Sequence, residues 1–503
     1  MIAALLLATA LEWRIRGDVY ADRGEHAAAI DAYEQANASD PSQRADLLMP
    51  LGREAIRGDQ PRKAALYYGE YVAAHPDDCA ARDDYGLALA WSDRLAEAHE
   101  QYQRVIAGCD GLRNTARLRD ALVSRWMDRP SRAESLYRAV LGNATADEKR
   151  DAQIGLGYVA LQREQNRAAL QTFEQFGETD GIAVAAYRLG LTRDVHRVMA
   201  LATRPSRDLT DIEHRLRTDD DFEVRPEALA FHDADGTNFR SAGVRLSRGW
   251  QNRARGELAL GDSDLRDNRS SLPATLLEVA AEERFSPALA IRSFVRRTGY
   301  RDWQPLSGEA HLVITPSDPS RIDVSFARPI VTDNVAAVRN RLAGNYVSIG
   351  ADRRVTALNT ATMGLDLTRW NDGNTRRRIT INWRHAGEGL PRVRWEWPTM
   401  WLSYDRPFTF ALFSPRRYIE TGPAISVDRR FARVWTATAY IRAGAHNEEH
   451  IGWRPLTVVR AAIDRELTDR WSLRAEASWS NSNVTSTSGF RRTAIGLQVA
   501  RRF

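Results

Sequence analysis

The spacing of apolar residues changes once along this chain of 503 residues. Up to about Pro226 it follows a helical repeat of 34 or 35 residues, and beyond it apolar residues alternate with polar ones at every second position. A helix needs a period near 3.6 and a half-buried strand needs a period of 2, so the two halves require different architectures. Charge divides at nearly the same place. Residues 239–503 carry 41 arginines and 26 acidic residues, a net charge of +15, which leaves −10 for residues 1–238 in a total of +5. Such asymmetry points to two modules in different surroundings.

The helical half shows the tetratricopeptide pattern. From Trp13, Gly17 follows at +4, Tyr20 at +7, Ala29 at +16, Tyr33 at +20, Ala36 at +23 and Pro41 at +28. Small residues let two antiparallel helices approach, tyrosines fill the gaps between them, and proline ends the second helix. Gly52, Ala64, Tyr68 and Pro76 repeat the pattern, then Gly86, Ala98 and Tyr102, then a degenerate copy over 112–145 with Ala133 and Tyr137, then Gly157, Ala169 and Phe173. A final helix pair near "AVAAYRLGLTRDVHRVMALA" is expected to cap the stack. Stacked repeats form a curved solenoid whose concave face takes an extended partner; the repeated tyrosines and alanines themselves read as core. Cys79 opens one helix of the third repeat and Cys109 closes its mate, so a Cys79–Cys109 disulfide is geometrically possible and would mark an oxidising compartment.

The second half reads as about sixteen strands, near 239–250, 253–262, 274–283, 287–298, 307–316, 320–328, 345–352, 355–367, 376–385, 393–404, 407–413, 417–428, 431–443, 455–466, 470–482 and 490–503. One face is apolar (Ile379, Ile381, Trp383; Trp471, Leu473, Ala475, Ala477, Trp479) and the other charged (Arg378, Arg384; Arg474, Glu476). Trp250, Trp383, Trp401, Trp471 and Trp479 fall near strand ends, where membrane barrels carry aromatic girdles. Tight turns at "LTD", "DRR" and "DRP" are expected to alternate with long connections at "GAHNEEHIGWRP" and "SNSNVTSTSG". Mean hydropathy is −0.47; no stretch suits a transmembrane helix, but strands that are half apolar leave no hydropathy peak. The expected fold is therefore α+β and multidomain: a possible truncated signal peptide at 1–10, an all-α tetratricopeptide solenoid at 11–205, a linker at 206–238 and a transmembrane antiparallel barrel of about sixteen strands at 239–503.

A barrel of that size holds an aqueous channel. Arg292, Arg296, Arg378, Arg384, Arg442, Arg460 and Arg474 are expected to line it, with Glu476. They either form a positive pore for anionic or hydroxyl-rich solutes or pair with acids such as Glu476 and Asp464 to hold the wall rigid. The last strand, "IGLQVARRF", turns Ile495, Leu497 and Val499 outward, places Arg501 at the headgroups, and ends at Phe503. It resembles the signal read by the barrel-insertion machinery, and it is expected to pair with the strand at 239–250.

Repeats followed by a barrel resemble the outer-membrane exopolysaccharide-export proteins. The stretches "RWNDGNTRRR" at 369–378 and "LFSPRRY" at 412–418, with the closing strands from Val434 to Phe503, are similar to the poly-β-1,6-N-acetylglucosamine export porins of the PgaA/HmsH type. The resemblance implies a barrel in the outer membrane that releases an exopolysaccharide chain. It also implies periplasmic repeats that recruit the polymer and a glycan-modifying enzyme or inner-membrane synthase. The basic barrel here fits a neutral or anionic glycan. A receptor or envelope-assembly scaffold of the same layout is the alternative, and a soluble repeat adaptor with a β domain is a third. Nothing in the sequence calls for catalysis, a cofactor or a metal: HExxH and a serine nucleophile elbow are both absent. The arginines alternate through strands instead of forming a nucleic-acid patch.

Overall fold

The computed structural model describes residues 2–201, 206–234, 236–389, 391–407, 413–431, 434–449, 451–468, 470–482 and 491–503, without the side chains of 2–8 and 207. Met1–Gln162 and Arg163–Phe503 are two compact units. No described helix is long and apolar enough to cross a membrane.

The first unit consists of stacked helices: α1 (Ile2–Asp22), α2 (His26–Ser39), α3 (Arg44–Arg57), α4 (Pro61–Ala74), α5 (Cys79–Trp91), α6 (Leu95–Gly108), α7 (Arg113–Trp126), α8 (Pro130–Leu141) and α9 (Ala146–Gln162). Glycine is needed at the helix crossings for lack of space. A Cβ on Gly52 would meet the Tyr68 ring at 2.8 Å, and one on Gly86 the Tyr102 ring at 2.7 Å. Gly24, Asp59, Asp93 and Asp128 recur at the hairpin turns with φ of 73°, 54°, 67° and 56°, the left-handed conformation that glycine and aspartate tolerate. Ala29, Tyr33, Leu47, Leu51, Tyr68, Leu89 and Tyr102 form one continuous core.

The second unit opens with α10 (Asn166–Phe176), α11 (Thr179–Arg188), α12 (Thr192–Leu201) and α13 (Arg207–Asp219). Seventeen strand segments follow: β1 (Phe222–Asp233), β2 (Asn238–Trp250), β3 (Ala254–Arg266), β4 (Ser271–Ser286), β5 (Leu289–Gly299), β6 (Leu306–Ser317), β7 (Ser320–Arg328), β8 (Gly344–Arg354), β9 (Asn359–Trp370), β10 (Thr375–Ala386), β11 (Arg392–Tyr404), β12 (Tyr418–Thr421), β13 (Ala424–Phe431), β14 (Trp435–Glu448), β15 (Gly452–Thr468), β16 (Trp471–Ser480) and β17 (Arg492–Arg502). β12 and β13 both pair with β11 and with β14, so they are halves of one strand broken at Gly422. β1 pairs with both β2 and β17, and sixteen antiparallel strands close into a barrel.

Two positions differ from the sequence expectation. Residues 206–238 are not a linker, because they hold α13 and β1, and the barrel begins at Phe222. The last strand accordingly closes on β1, with Ala228 opposite Leu497 and Ala230 opposite Ile495. Pro226, and apolar Leu229 and Phe231 on an otherwise charged inward face, hid β1's alternation. Several connections also shift. "DRR" lies inside β13, "DRP" begins the long connection 405–417, and most of "GAHNEEHIGWRP" belongs to the β14–β15 hairpin. The expected strand 407–413 and the connection "SNSNVTSTSG" fall largely outside the described residues. The rule behind the expectation still holds. Every connection at the end where β1 starts is five residues or shorter, and the three long ones (329–343, 405–417, 481–491) lie at the other end.

The outward face is apolar. Val279, Val295, Phe326, Ile349, Leu365, Ile381, Ile441 and Leu497 are all more than a third exposed. Trp250 and Trp471 stand at the short-turn end, where Arg465 covers the Trp435 ring at 4.7 Å and Arg501 covers those of Trp471 at 5.1 Å and Phe503 at 4.3 Å. Apolar outside and charged inside is the arrangement of a membrane-spanning barrel, with arginines that lie along aromatic rings toward the headgroups.

Within the second unit the helices are tied to one side of the short-turn rim. The Asp318 carboxylate, from the β6–β7 turn, accepts the backbone N–H groups of Arg167 at 3.0 Å and Ala168 at 3.1 Å. It thereby caps the N-terminus of α10. Arg167 also donates to the carbonyls of Pro287 at 2.9 Å and Thr315 at 2.6 Å. Asn252 donates to the Tyr187 carbonyl at 3.0 Å and Thr192 to that of Gln251 at 2.5 Å.

Candidate functional site

The candidate site is the lumen. Strand alternation turns Arg292, Arg296, Arg378, Arg384, Arg442, Arg460, Arg474 and Glu476 inward, as their cross-strand partners show. Six of the seven arginines meet a carboxylate. Arg292 lies 3.0 Å from Glu282, Arg384 3.2 Å from Glu396, Arg442 2.7 Å from Glu420, and Arg474 3.0 Å from Asp464 and 3.4 Å from Glu476. Arg296 pairs with Glu278 and Arg378 with Asp366. Arg460 lies over the Tyr440 ring at 5.3 Å. The lumen is thus a mosaic of paired charges, not the uniformly positive wall that the +15 of this half allowed. Much of the surplus is on outward and rim positions such as Arg248, Arg328, Arg369 and Arg501.

One hub went unnoticed in the sequence. Arg245 reaches three carboxylates, Glu278 at 2.8 Å, Glu257 at 3.0 Å and Glu227 at 3.4 Å, which come from four neighbouring strands together with its own. Its outline in sequence is an ordinary alternating strand, so only the register of β1 to β4 reveals it. Around these side chains lie cavities of about 490, 400 and 290 Å³ that share walls at Glu476, Gly496, Arg245 and Glu278.

The second feature is an inward-folded segment. Residues 329–343, between β7 and β8, are pinned at their base by an Ile330–Ala343 bridge and contain the short helix α14 (Val335–Arg339). The Asn334 side chain caps it by accepting the Ala337 N–H at 3.0 Å. Val331, Ala337 and Leu342 pack against Trp370, Met400, Leu402, Tyr404 and Tyr418. Val335 and Val338 pack against Leu265, Ala274 and Tyr300. These partners face the lumen at the long-loop end, on strands far apart around the ring. Asp333 pairs with Arg492 of β17 at 3.0 Å. β17 is eight strands from β8, half way around sixteen, so the segment spans the opening. Thr332 roofs the 400 Å³ cavity. A visible signal existed, namely four spaced apolar residues (Val331, Val335, Val338, Leu342) in a connection that would otherwise face water.

Beside it, Glu420 accepts hydrogen bonds from Arg442 at 2.7 Å, Ser482 at 2.7 Å and Tyr418 at 3.2 Å, all buried. Arg442 also donates to the Pro398 carbonyl at 2.9 Å. A buried carboxylate so fully paired fixes the wall and the start of the 481–491 connection together.

Elsewhere, Cys79 and Cys109 are disulfide-bonded, with Cα atoms 6.1 Å apart. Phe503 continues the β17 ladder, donating its N–H to the Phe222 carbonyl at 2.9 Å, and its ring is 56% exposed.

No family model matches the chain, and no curated protein does. Several solved structures are similar in part. A bacterial polysaccharide outer membrane secretin is 15% identical over 57% of this chain and 99% of its own, with a TM-score of 0.48. CdiB from Acinetobacter baumannii is 10% identical over 56% and 60%, with a TM-score of 0.36. A tetratricopeptide repeat protein from Parabacteroides merdae is 13% identical over 41% and 85%, with a TM-score of 0.36.

Proposed function

We propose that this chain is an outer-membrane export pore for an extended hydroxyl-rich polymer, an exopolysaccharide. In this reading the helical half lies in the periplasm and recruits the polymer with its synthase or modifying enzyme. The observation that carries it is a closed sixteen-stranded barrel whose lumen is lined by paired charges around connected cavities of about 490 and 400 Å³. Paired charges offer many hydrogen-bond donors and acceptors with little net field, which suits a neutral or weakly charged glycan better than a polyion. Short turns on the side of α10–α13 and long loops opposite match a periplasmic and an exterior end. The Cys79–Cys109 disulfide agrees with an oxidising compartment.

The test joins conductance to secretion. Full-length protein in planar bilayers is expected to conduct little. Replacing residues 333–340 by a Gly/Ser linker is expected to give steady channels. Deleting the gene is expected to abolish surface polysaccharide, which the wild-type gene restores. Normal secretion by the deletion strain defeats the proposal. That outcome, with a barrel that never conducts unless residues 333–340 are replaced, supports the second reading, a non-transporting receptor or scaffold. The filled mouth is what favours that reading.

A further inference from the structure

On β5 to β10, four arginines stand on the outward face at the long-loop end: Arg297 on β5, Arg328 on β7, Arg369 on β9 and Arg377 on β10. All four are exposed. Alternation fixes their direction. The residues two positions nearer mid-strand are Val295, Phe326, Leu367 and Ile379, exposed by 52, 60, 41 and 40%, and they form the edge of the apolar band. The arginines therefore stand where apolar surface meets headgroups.

Register brings them together. Arg369 pairs with Asn345 of β8 on one side and Thr375 of β10 on the other. The Ala327–Tyr346 pair, continued by one residue, places Arg328 beside Asn345. Arg328 and Arg369 are thus two strands apart in one row, about 10 Å between Cα atoms. Both long side chains reach a common point from there. Arg377, opposite Leu367, is the diagonal neighbour of Arg369. Arg377 is held by Asp405 and Arg297 by Gln304, but Arg328 and Arg369 have no carboxylate partner among the described residues. The same height elsewhere is different. Arg240 of β2 faces Asp264, and the outward positions on β14 and β15 are Ala443, Ala445 and Thr457.

An arginine on the lipid face is costly at mid-bilayer but nearly free of cost near the interface. Guanidinium groups bind phosphate in a bidentate manner, which an ammonium does not. We propose that Arg328 and Arg369, flanked by Arg297 and Arg377, bind the phosphate of a lipid headgroup in the leaflet at the long-loop end. The inference rests on the barrel spanning a membrane, and not on what passes through it.

The full chain, purified in neutral detergent, would be incubated with diphosphorylated lipid A or the same lipid dephosphorylated, and bound lipid counted by native mass spectrometry. A preference of about tenfold or more for the phosphorylated lipid is expected. Arg328→Ser with Arg369→Ser is expected to remove the preference, and Arg240→Ser to keep it. Heat-modifiable migration on gels checks that each barrel is folded. Equal retention by the double variant, or none of the expected preference, overturns the inference. So does displacement of lipid by inorganic phosphate alone, which would make it a simple anion site. Extraction of the wild-type protein from membranes by carbonate would instead overturn the membrane reading beneath it.

Discussion

Asp83 of α5 is buried within the helical unit and its carboxylate meets Arg119 of α7. Burial pushes its pKa up to about 6, against the pull of Arg119 and with a smaller push from Asp84. The folded state therefore holds the proton more tightly than the unfolded chain does. The stability this group adds is complete below the ordinary carboxylate value and is lost as pH rises from about 4 to 6. Asp83→Asn, which cannot ionise, is expected to gain on the wild type across that window. Melting of the full chain followed by circular dichroism at 222 nm checks this, and a constant difference between pH 4 and pH 7 would contradict it. At this scale much was legible. Gly86 and Tyr102 stand at repeat positions because a side chain at 86 would strike the ring. The seven lumen arginines were found by alternation, and Asp464 and Glu476 were named as acids that could pair with them, which Arg474 does, but the other pairings were not. An arginine's direction follows from its parity in a strand, while its carboxylate comes from a neighbouring strand whose register only the folded sheet sets.

Among the elements, the third repeat is closed by the Cys79–Cys109 bridge across 30 residues. By loop-closure entropy that cross-link contributes about 3–4 kcal/mol. Cys79→Ser with Cys109→Ser is expected to lower stability by that order in urea titrations under oxidising conditions. With dithiothreitol present the two proteins should unfold alike, and a difference that persisted would point to packing. Repeats were readable because each helix pair buries its apolar face on its neighbours at a fixed interval. β1 was missed because Pro226 and the apolar run Ala228–Phe231 break its alternation, and because its identity as a strand depends on β2 and β17 on either side. The segment 329–343 was passed over for a related reason. Five helical residues are too few to show a period, and its apolar side chains acquire meaning only opposite Trp370, Tyr404 and Tyr300.

For the whole molecule, the paired lumen leads to a prediction about selectivity. With residues 333–340 replaced so that the mouth is open, the pore is expected to discriminate weakly between potassium and chloride. Adding Arg474→Gln leaves Asp464 and Glu476 uncompensated and is expected to shift the reversal potential in a salt gradient toward cation selectivity. An unchanged potential would mean that this part of the wall does not face the ion path. The sequence by itself determined the division into a helical stack and an alternating barrel, and the faces of the strands it found. Both follow from local periods of 3.6 and 2 and from a repeat length, and neither needs knowledge of distant neighbours. Only the tertiary structure decided where the ring closes, that the lumen charges neutralise one another, and that one connection turns inward to fill the mouth. The first is a backbone ladder between β1 and β17, the second depends on the register of adjacent strands, and the third joins the β7–β8 connection to β17 across the ring; a spacing read along the chain carries none of them.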